Sequence, residues 1–595
     1  MAATGRTVST KVRQASIALV VIIVALSVLP TSSQSSAFDI GIRETTGPTG
    51  SVPDAWGPLV TFRTASGGYA APVHGTLLPD GRIQFVGIER STADGAQTNG
   101  DAEIGHRNAF VFTPDALGST PPAEITVSAL TEPIDLNDQV IGDWRVNDNL
   151  FCAGQTLTSD GRVFTAGGTR SLTNVTTGEL RVVGLSYATT YDGQNWTRVP
   201  ANMAAVGATG TPMRWYPTTT RLPNGRILVT SGFDLVVPNG SVNLSVESYD
   251  TGTGAWSTVS PFGQTPVVLI NSDYTHAFVL PAQLGAYDLL MFGEPGVPVL
   301  GSSQSANWLP LESAPRPGSD AFQQARHANG GQWDPQTAPD NGASSVLLPL
   351  RTTSGEWAYG NGSVLIAGGA HNTAHIKSID VFDPVSSRWR PTVNMLVDRH
   401  HPSTVLLPDG RVLIVAGHSD DPNVRHAEYV DPRQGFSVGI GGADGGEVRG
   451  YHSVSLLLPD GRILVAGGRD ISTPDSVEKP TFRYYYPHYM FAPRPRILTA
   501  PTQLAFGTSF SILSVGASPP AEVVLVGLGA MTHSFDENQR SIQLTLAANV
   551  PVGTGAYLSI AVSPYGSQVA PPGYYMLFVL DGQLIPSIAR IVHVG

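Results

Sequence analysis

The chain has 595 residues, enough for two or three domains. Its 65 glycines, 46 prolines and only 14% charged residues describe a turn-rich, well-buried protein, and this composition favours an all-β fold. The formal net charge of −12, without any basic run, argues against nucleic acid as a partner because phosphate binding needs a positive patch.

The N-terminal segment has the order of a secretory signal peptide. Lys11 and Arg13 precede an apolar run over residues 15–29, and Pro30 and a Ser/Thr-rich stretch ending at Ala37 follow. The apolar run is shorter than the roughly 20 residues that span a bilayer. We therefore predict that residues 1–37 are a signal peptide or, as the alternative, an uncleaved N-terminal anchor that associates the protein with a membrane. Both alternatives predict a secreted or cell-surface protein.

Residues 38–494 repeat one phrase: an apolar strand, an Asp-Gly or Asn-Gly turn, a second apolar strand, then one or two glycines. The turns lie at Asp80-Gly81, Asp160-Gly161, Asn224-Gly225, Asn361-Gly362, Asp409-Gly410 and Asp460-Gly461, with a degenerate copy at Asp288–Gly293. Asp-Gly between apolar strands is a strong hairpin signal. Recurrence at roughly 50 residues or more, with paired glycines, is typical of kelch-type blades. We predict a seven-bladed kelch-type β-propeller. Two β-sandwiches are the alternative, but they would not explain the shared phrase.

The glycine-terminated phrase stops before residue 495. The remaining segment, residues 495–595, contains apolar or alternating runs at 522–528, 542–546 and 574–579, separated by Pro and Gly. Its length and pattern predict a C-terminal immunoglobulin-like β-sandwich.

The single cysteine of the chain, Cys152, occupies the same place in its repeat as three residues with very different chemistry. Cys152 precedes its Asp-Gly turn by eight residues, and Tyr216, His401 and His452 precede their turns by the same offset. If the repeats surround a common axis, these side chains can converge. A sole cysteine in an exported protein has no internal disulfide partner. Its register with Tyr216 therefore suggests that it takes part in other chemistry.

Four motifs resemble the copper-radical oxidases, the galactose oxidase and glyoxal oxidase family, and they occur in the family's order. They are Phe151-Cys152-Ala153-Gly154, Arg214-Trp215-Tyr216-Pro217, Tyr451-His452-Ser453 and the segment 532–540 that begins Thr532-His533-Ser534. The resemblance implies one copper ion, with Tyr216, His452 and His533 as equatorial ligands and Tyr451 as the axial ligand. It also implies a thioether between Cys152 and the ring of Tyr216.

The residue types are suited to this chemistry. Two imidazoles and a phenolate are a nitrogen and oxygen set that suits Cu(II), with a position left for substrate. A phenol has a pKa of about 10, and a nearby dication lowers that pKa. A thioether would make the ring of Tyr216 easier to oxidise to a tyrosyl radical. The resemblance implies that Tyr451 accepts the substrate proton, that the Tyr216 radical removes a hydrogen atom from carbon, and that O2 is reduced to hydrogen peroxide.

Further aromatic residues and histidines are candidates for the surroundings of the copper ion. In galactose oxidase a tryptophan stacks over the thioether, but the matching stretch here contains Phe233, so that Phe233, Trp215 or Trp308 could take this role. His400 and His401 share the register of Tyr451 and His452, and we predict that they support the site or contact substrate. We interpret four further histidines as structural because they carry no motif: His74, His276, His418 and His426.

The motifs around Cys152 and Tyr216 resemble the glyoxal oxidase branch more than the galactose oxidase branch. The stretch between Ala37 and Trp56 is also too short for the carbohydrate-binding domain that precedes the galactose oxidase propeller. We therefore expect a monomer that oxidises small aldehydes, such as glyoxal, methylglyoxal or glycolaldehyde, with O2. The alternatives are a galactose or primary-alcohol oxidase and, in a different class, a copper-free propeller that acts as a cell-surface binding scaffold.

Overall fold

The computed structural model describes residues 55–90, 107–132, 134–137, 139–200, 202–203, 213–237, 241–243, 245–258, 275–281, 287–292, 306–310, 323–327, 342–350, 362–371, 374–383, 388–442, 446–470 and 477–595. These residues form strands, with short 3-10 helices at Pro422–Arg425, Pro432–Gln434 and His488–Phe491. The fold is therefore all-β, as expected. No helix within the described ranges is long and apolar enough to cross a membrane. The signal or anchor segment expected at residues 1–37 lies outside the described residues.

Four-stranded antiparallel units follow one another along the described chain, and each begins with one of the repeated hairpins or with the degenerate copy. In chain order their strands are Tyr69–Leu77, Ile83–Arg90, Arg107–Phe112 and Ala129–Leu130; Gly154–Leu157, Val163–Ala166, Ala188–Tyr191 and Trp196–Arg198; Thr218–Arg221, Ile227–Thr230, Glu247–Asp250 and Ala255–Thr258; His276–Pro281, Tyr287–Phe292, Ala306–Pro310 and Gln323–His327; Ser344–Leu347, Val364–Ala367, Ser378–Asp383 and Arg388–Asn394; His400–Leu406, Val412–His418, Ala427–Asp431 and Ser437–Gly441.

The last unit is completed by the beginning of the described chain. Its strands Ser453–Leu457, Ile463–Gly467 and Thr481–Tyr486 are joined by Val60–Thr64, which pairs antiparallel with Thr481–Tyr486. Packing supports this junction because the ring of Phe62 lies 4.8 Å from that of Phe482. The junction ties the two ends of the repeat region together, so that its first and last units lie side by side.

The repeated Asp-Gly-Arg sequence has a local structural explanation. At one turn the amide of Thr158 donates to the carbonyl of Arg162 at 2.8 Å, and Gly161 takes a left-handed φ of 85°. The guanidinium of Arg162 donates to Asp160 at 2.8 Å across the same turn. The same arginine-to-aspartate bond recurs at Arg82 and Asp80, at Arg411 and Asp409, and at Arg462 and Asp460. The geometry of the hairpin turn thus explains why the Asp-Gly-Arg sequence recurs.

Smaller elements lie between the units. A six-stranded sheet is built from Gln139–Ile141, Trp144–Asn149, Thr169–Asn174, Leu180–Gly184, Phe233–Val237 and Ser241–Val242. Other short strands are Ala55–Trp56, which pairs with Thr481–Tyr486, Glu124–Val127, which runs parallel to Val60–Thr64, and the hairpin of Ala370–His371 with Ala374–His375. These insertions account for the irregular spacing of the repeated turns.

The C-terminal region forms a further set of eight strands around its own apolar core. The strands are Arg496–Thr499, Gln503–Leu504, Ser509–Val515, Glu522–Gly527, Ser541–Gly553, Ala556–Val562, Gly573–Leu580 and Arg590–Val594. A hairpin of Ala530–Thr532 and Phe535–Asp536 leaves this set and pairs with Tyr69–Leu77 of the first unit. The loop of the hairpin, which contains His533, is thereby held against the first strands of the repeat units.

Candidate copper centre

The residues that the register analysis singled out share one backbone conformation. Cys152, Tyr216, His401 and His452 all have positive φ, between 55° and 68°, and each stands at the start of the first strand of its unit. His533, at the tip of the C-terminal hairpin, has φ 44°. Left-handed φ is uncommon for residues other than glycine and is found at functional sites more often than elsewhere. Because this backbone conformation recurs at each position, these side chains do not follow the alternating side-chain directions of the adjoining strand.

Four side chains meet where the first strands begin. The rings of His452 and His533 have centroids 4.5 Å apart, and the ring of His533 lies 4.8 Å from that of Tyr216 and 5.1 Å from that of Tyr451. The phenol oxygens of Tyr216 and Tyr451 are hydrogen-bonded to each other. Two imidazoles and two phenols therefore face one small volume.

Cys152 is held in the same cluster. It is fully buried, and it packs in one apolar group with Tyr216 and Phe151. Its carbonyl accepts a hydrogen bond from the amide of Tyr216 at 2.8 Å, and its own amide donates to Nε2 of His74 at 3.0 Å. The Sγ atom of Cys152 and one ring nitrogen each of His452 and His533 lie within 4.8 Å of one another. Backbone bonds thus fix the thiol beside the phenol with which it is expected to react.

A glycine brings the neighbouring units this close. A Cβ added to Gly167 would stand 2.4 Å from the carbonyl oxygen of Arg214, two residues before Tyr216. Because Gly167 also has φ 70°, other residues would be strained there. The glycine that ends one hairpin therefore leaves room for the loop that carries Tyr216.

The ring of His452 is oriented by a buried carboxylate. Nδ1 of His452 is hydrogen-bonded to Glu478 at 3.0 Å, and both side chains are fully buried. Arg90 holds the other oxygen of Glu478 at 2.6 Å. Nε2 of His452 is buried and has no hydrogen-bond partner among the described residues. A histidine whose second nitrogen bonds to a carboxylate is the usual form of a metal ligand.

His533 is oriented in a related way, through a hydroxyl instead of a carboxylate. Its Nδ1 is hydrogen-bonded to Oγ1 of Thr532 at 2.6 Å. Burial lowers the pKa of His533 well below its usual value, and the nearby His452 lowers it further. The pKa of His452 is likewise lowered, by burial first and then by the charge of Arg469. Both imidazoles are therefore neutral at ordinary pH, as metal coordination requires.

The donor set fits a copper ion. Two neutral imidazoles and two phenols provide the nitrogen and oxygen ligands that suit Cu(II). The two phenols are hydrogen-bonded to each other. Nε2 of His452 is buried without a hydrogen-bond partner among the described residues, which is energetically unfavourable. A bond from this nitrogen to a metal ion would remove that unfavourable free energy. The residues that could hold the ion are Tyr216, Tyr451, His452 and His533.

Trp215 lies over the phenol of Tyr216. The two rings are stacked with centroids 3.7 Å apart and an interplanar angle of 27°, and the indole nitrogen donates to Thr169 at 2.9 Å. Phe233 does not stack on Tyr216 in this way, but its ring lies 6.1 Å from Trp215. The side chain of Trp308 lies outside the described residues. Of the described candidates, Trp215 is thus the one that covers the phenol of Tyr216.

The other histidines divide into two groups. His401 lies beside the centre, with its ring 5.0 Å from that of Tyr451, and His400 stacks on His401 at 3.9 Å. His418, which was expected to be structural, packs against His400 at 4.8 Å. By contrast His276 is bonded to Ser345 and stacked on Phe535, and the backbone carbonyl of His426 accepts from Arg399, so that these two fit structural roles.

The sequence patterns do not single out Glu478, and they include Thr532 only as part of the motif around His533. Glu478 carries no motif, and 26 positions separate it from His452 in the chain. One weak signal exists: Glu247 and Glu428 also stand at or near the start of a third strand, where each binds a buried arginine. Only the contact with His452 distinguishes Glu478 from them.

The function of Glu478 can be tested by Glu478→Gln, which keeps the shape of the side chain and removes its charge. We expect copper affinity to fall roughly 10-fold to 100-fold, the range usual for partners of ligating histidines. Glu428→Gln is the control, because Glu428 belongs to an equally buried arginine pair that does not touch a predicted ligand. Competition with a copper chelator would measure both, and equal affinities in the two variants would contradict the assignment.

Comparison with known proteins supports the same class. Residues 494–594 match the family model described as galactose oxidase-like, early set domain. The chain is 29% identical to aldehyde oxidase GLOX of Vitis pseudoreticulata over 64% of this chain and 71% of that protein. It is 25% identical to aldehyde oxidase GLOX1 of Arabidopsis thaliana, over 78% and 74% of the two chains.

Two further matches cover more of this chain. Galactose oxidase of Gibberella zeae is 24% identical over 81% of this chain and 66% of that protein. A solved structure described as a novel fungal alcohol oxidase of the AA5 family, in complex with copper, superposes with a TM-score of 0.61. It covers 91% of this chain and 99% of its own at 20% identity, and so shows the common fold. Together with the site, these similarities support a copper-radical oxidase family for this chain.

Proposed function

We propose that this protein is a secreted mononuclear copper-radical oxidase that converts small aldehydes to carboxylic acids and reduces O2 to hydrogen peroxide. The observation that carries the proposal is the convergence of Tyr216, Tyr451, His452 and His533 around one volume, with Cys152 packed beside Tyr216. These residues come from three repeat units and the C-terminal hairpin.

The proposed framework is a seven-bladed kelch-type propeller with a C-terminal immunoglobulin-like domain. Its support is the succession of four-stranded units and the pairing of Val60–Thr64 with Thr481–Tyr486, which would close such a ring. In a propeller the first strands line the central axis, and residues at their starts lie at one end of it. This explains why Cys152, Tyr216 and His452 can share a site although they are far apart in sequence.

The proposed cofactor is one copper ion with a Cys152–Tyr216 thioether. Copper bound there would accept one electron per turnover and lower the pKa of the coordinated phenols. Trp215, stacked at 3.7 Å, would shield the modified ring of Tyr216 from water and so extend the lifetime of its radical. The burial of Cys152 keeps the thiol away from other oxidants.

The protein groups each have a defined task in the reaction. Tyr451 is half-buried and hydrogen-bonded to Tyr216, so that its oxygen can accept the proton of a substrate hydroxyl that enters from the open side. The ring of Tyr216, once oxidised, would be placed to take a hydrogen atom from the substrate carbon. An aldehyde hydrate loses two hydrogens in total to become an acid, and O2 gains two to become hydrogen peroxide. The reaction is therefore balanced without an organic cofactor.

The preference for aldehydes rests on the motifs around Cys152 and Tyr216 and on the names of two relatives. Both plant proteins are named aldehyde oxidases, and that of Vitis pseudoreticulata is 29% identical to this chain, against 24% for the galactose oxidase. The galactose or primary-alcohol oxidase alternative uses the same centre and differs only in the pocket. The copper-free scaffold is disfavoured by the metal-suited site, in which Nε2 of His452 is buried without a partner.

A substrate panel tests this choice. Peroxide release should be measured with glyoxal, methylglyoxal, glycolaldehyde, galactose and simple primary alcohols, and we expect turnover on the aldehydes and little on galactose. A site that discriminates by one hydrogen-bonded hydroxyl can differ by roughly 10⁴-fold between substrates, so the ranking should be clear. Preference for galactose would overturn the aldehyde assignment and leave the copper-radical chemistry in place.

A further inference from the structure

A second cluster of histidines lies beside the copper centre and shares no residue with it. One ring nitrogen each of His375, His400 and His418 lies within 4.8 Å of the others. The ring centroids are 4.8 Å apart for His400 and His418, 4.9 Å for His375 and His418, and 5.8 Å for His375 and His400. His400 and His418 are paired across the first two strands of one unit, and His375 ends the short hairpin that precedes this unit in the chain.

Two nitrogens of this cluster have no protein partner among the described residues. They are Nε2 of His400 and Nδ1 of His418, and both are shielded from solvent. His418 as a whole is only 2% exposed. A buried ring nitrogen without a hydrogen bond is costly, and an ion that accepts its lone pair would remove the cost.

The local backbone makes room for these rings. A Cβ added to Gly342 would stand 2.5 Å from Nε2 of His400, and one added to Gly450 would stand 2.6 Å from Nδ1 of His418. Neither imidazole could keep its position beside a larger residue. The glycines therefore allow three imidazoles to pack closer than ordinary side chains around them would permit.

A carboxylate completes the arrangement. Oδ2 of Asp398 lies 3.6 Å from Nδ1 of His375 and accepts a hydrogen bond from Ser419 at 2.8 Å. At this distance the carboxylate acts on His375 through its negative charge rather than through a hydrogen bond, and that charge favours a cation bound to the cluster. The half-buried positions of His375 and His400 leave a route for an ion from solvent.

We propose that His375, His400 and His418 form a second transition-metal site, separate from the copper centre, which takes Zn²⁺ or another divalent ion that prefers imidazole. Three imidazoles leave a coordination position for water or an anion. The site is coupled to the oxidase centre through one intervening ring, because His400 stacks on His401 and His401 lies 5.0 Å from Tyr451.

Zn²⁺ binding to the copper-loaded enzyme tests the proposal. The protein is loaded with one equivalent of copper per chain, so that the second cluster is not filled with copper, then dialysed and titrated with Zn²⁺, and we expect the wild-type enzyme to bind about one further equivalent. His375→Ala and His418→Ala should each lose this equivalent, whereas His426→Ala, a change in the same region outside the cluster, should keep it. No additional equivalent in wild type, or its persistence in both cluster variants, would overturn the proposal.

Two further measurements guard against a folding artefact. Asp398→Asn leaves all three imidazoles in place and should weaken Zn²⁺ binding roughly 10-fold, because the negative charge 3.6 Å from His375 is lost. Co²⁺ bound to the copper-loaded wild-type enzyme should give the visible absorption of a low-coordinate nitrogen-ligated ion, without any substitution. If the absorption is that of hexa-aqua Co²⁺, or if Asp398→Asn binds Zn²⁺ as tightly as wild type, the cluster is not the site proposed.

Discussion

Replacement of both His452 and His533 by alanine is expected to abolish copper binding at the oxidase centre. The two imidazoles are the neutral nitrogen donors of the site, and only the two phenols would remain. Elemental analysis of copper-loaded, dialysed protein should fall from about one copper per chain to the level of a copper-free control, since ligand loss removes the binding free energy. Peroxide release should disappear with the copper.

Copper bound at the second histidine cluster must not contribute to the measured copper content per chain. The double substitution is therefore compared in a His375→Ala background, in which the cluster lacks one of its three imidazoles. His426→Ala in the same background is the matched control, since His426 lies outside both histidine groups. An unchanged copper content in the variant without His452 and His533 would reject the ligand assignment. The copper-free scaffold would be favoured only if the wild-type protein itself retained no copper.

Cys152→Ser is expected to separate metal binding from turnover. Copper should still bind, because Tyr216, Tyr451, His452 and His533 remain, but the thioether cannot form. The phenol of Tyr216 is then harder to oxidise, and we expect turnover to fall on the order of 10²-fold or more, equivalent to about 3 kcal/mol of barrier. Serine is close in size to cysteine, so the packing around Phe151 should be preserved.

Peptide mapping provides the direct readout for the cross-link. In wild-type protein exposed to copper and O2, the peptides that contain Cys152 and Tyr216 should appear as one species, lighter by two hydrogens than their sum. The Cys152→Ser variant should yield two separate peptides. A free thiol at Cys152 in aerated, copper-loaded wild-type protein would exclude the thioether, whatever the activity. Full turnover by Cys152→Ser would show that the cross-link is not needed.

The sequence alone determined the all-β class, the repeated hairpins and the candidate residues for the proposed chemistry. These features are local or periodic. An Asp-Gly turn specifies a hairpin through its own φ requirement, as Gly161 illustrates, and an offset of eight residues from that turn places Cys152 and Tyr216 at equivalent points. The C-terminal runs likewise coincide with strands, such as Glu522–Gly527 and Gly573–Leu580. Local and periodic patterns can be recognised in the sequence without knowing which segments contact each other in the folded protein.

The tertiary structure alone decided which side chains support the centre. Trp215 rather than Phe233 stacks on Tyr216, and Glu478 rather than another carboxylate orients His452. These pairs depend on how neighbouring units and insertions pack, and no spacing in the chain encodes them. The same holds for His418, whose sequence context is that of an ordinary strand residue. His418 is paired with His400 across one hairpin, but its approach to His375 exists only because the short hairpin that ends at His375 packs against this unit, where glycines leave space for the rings.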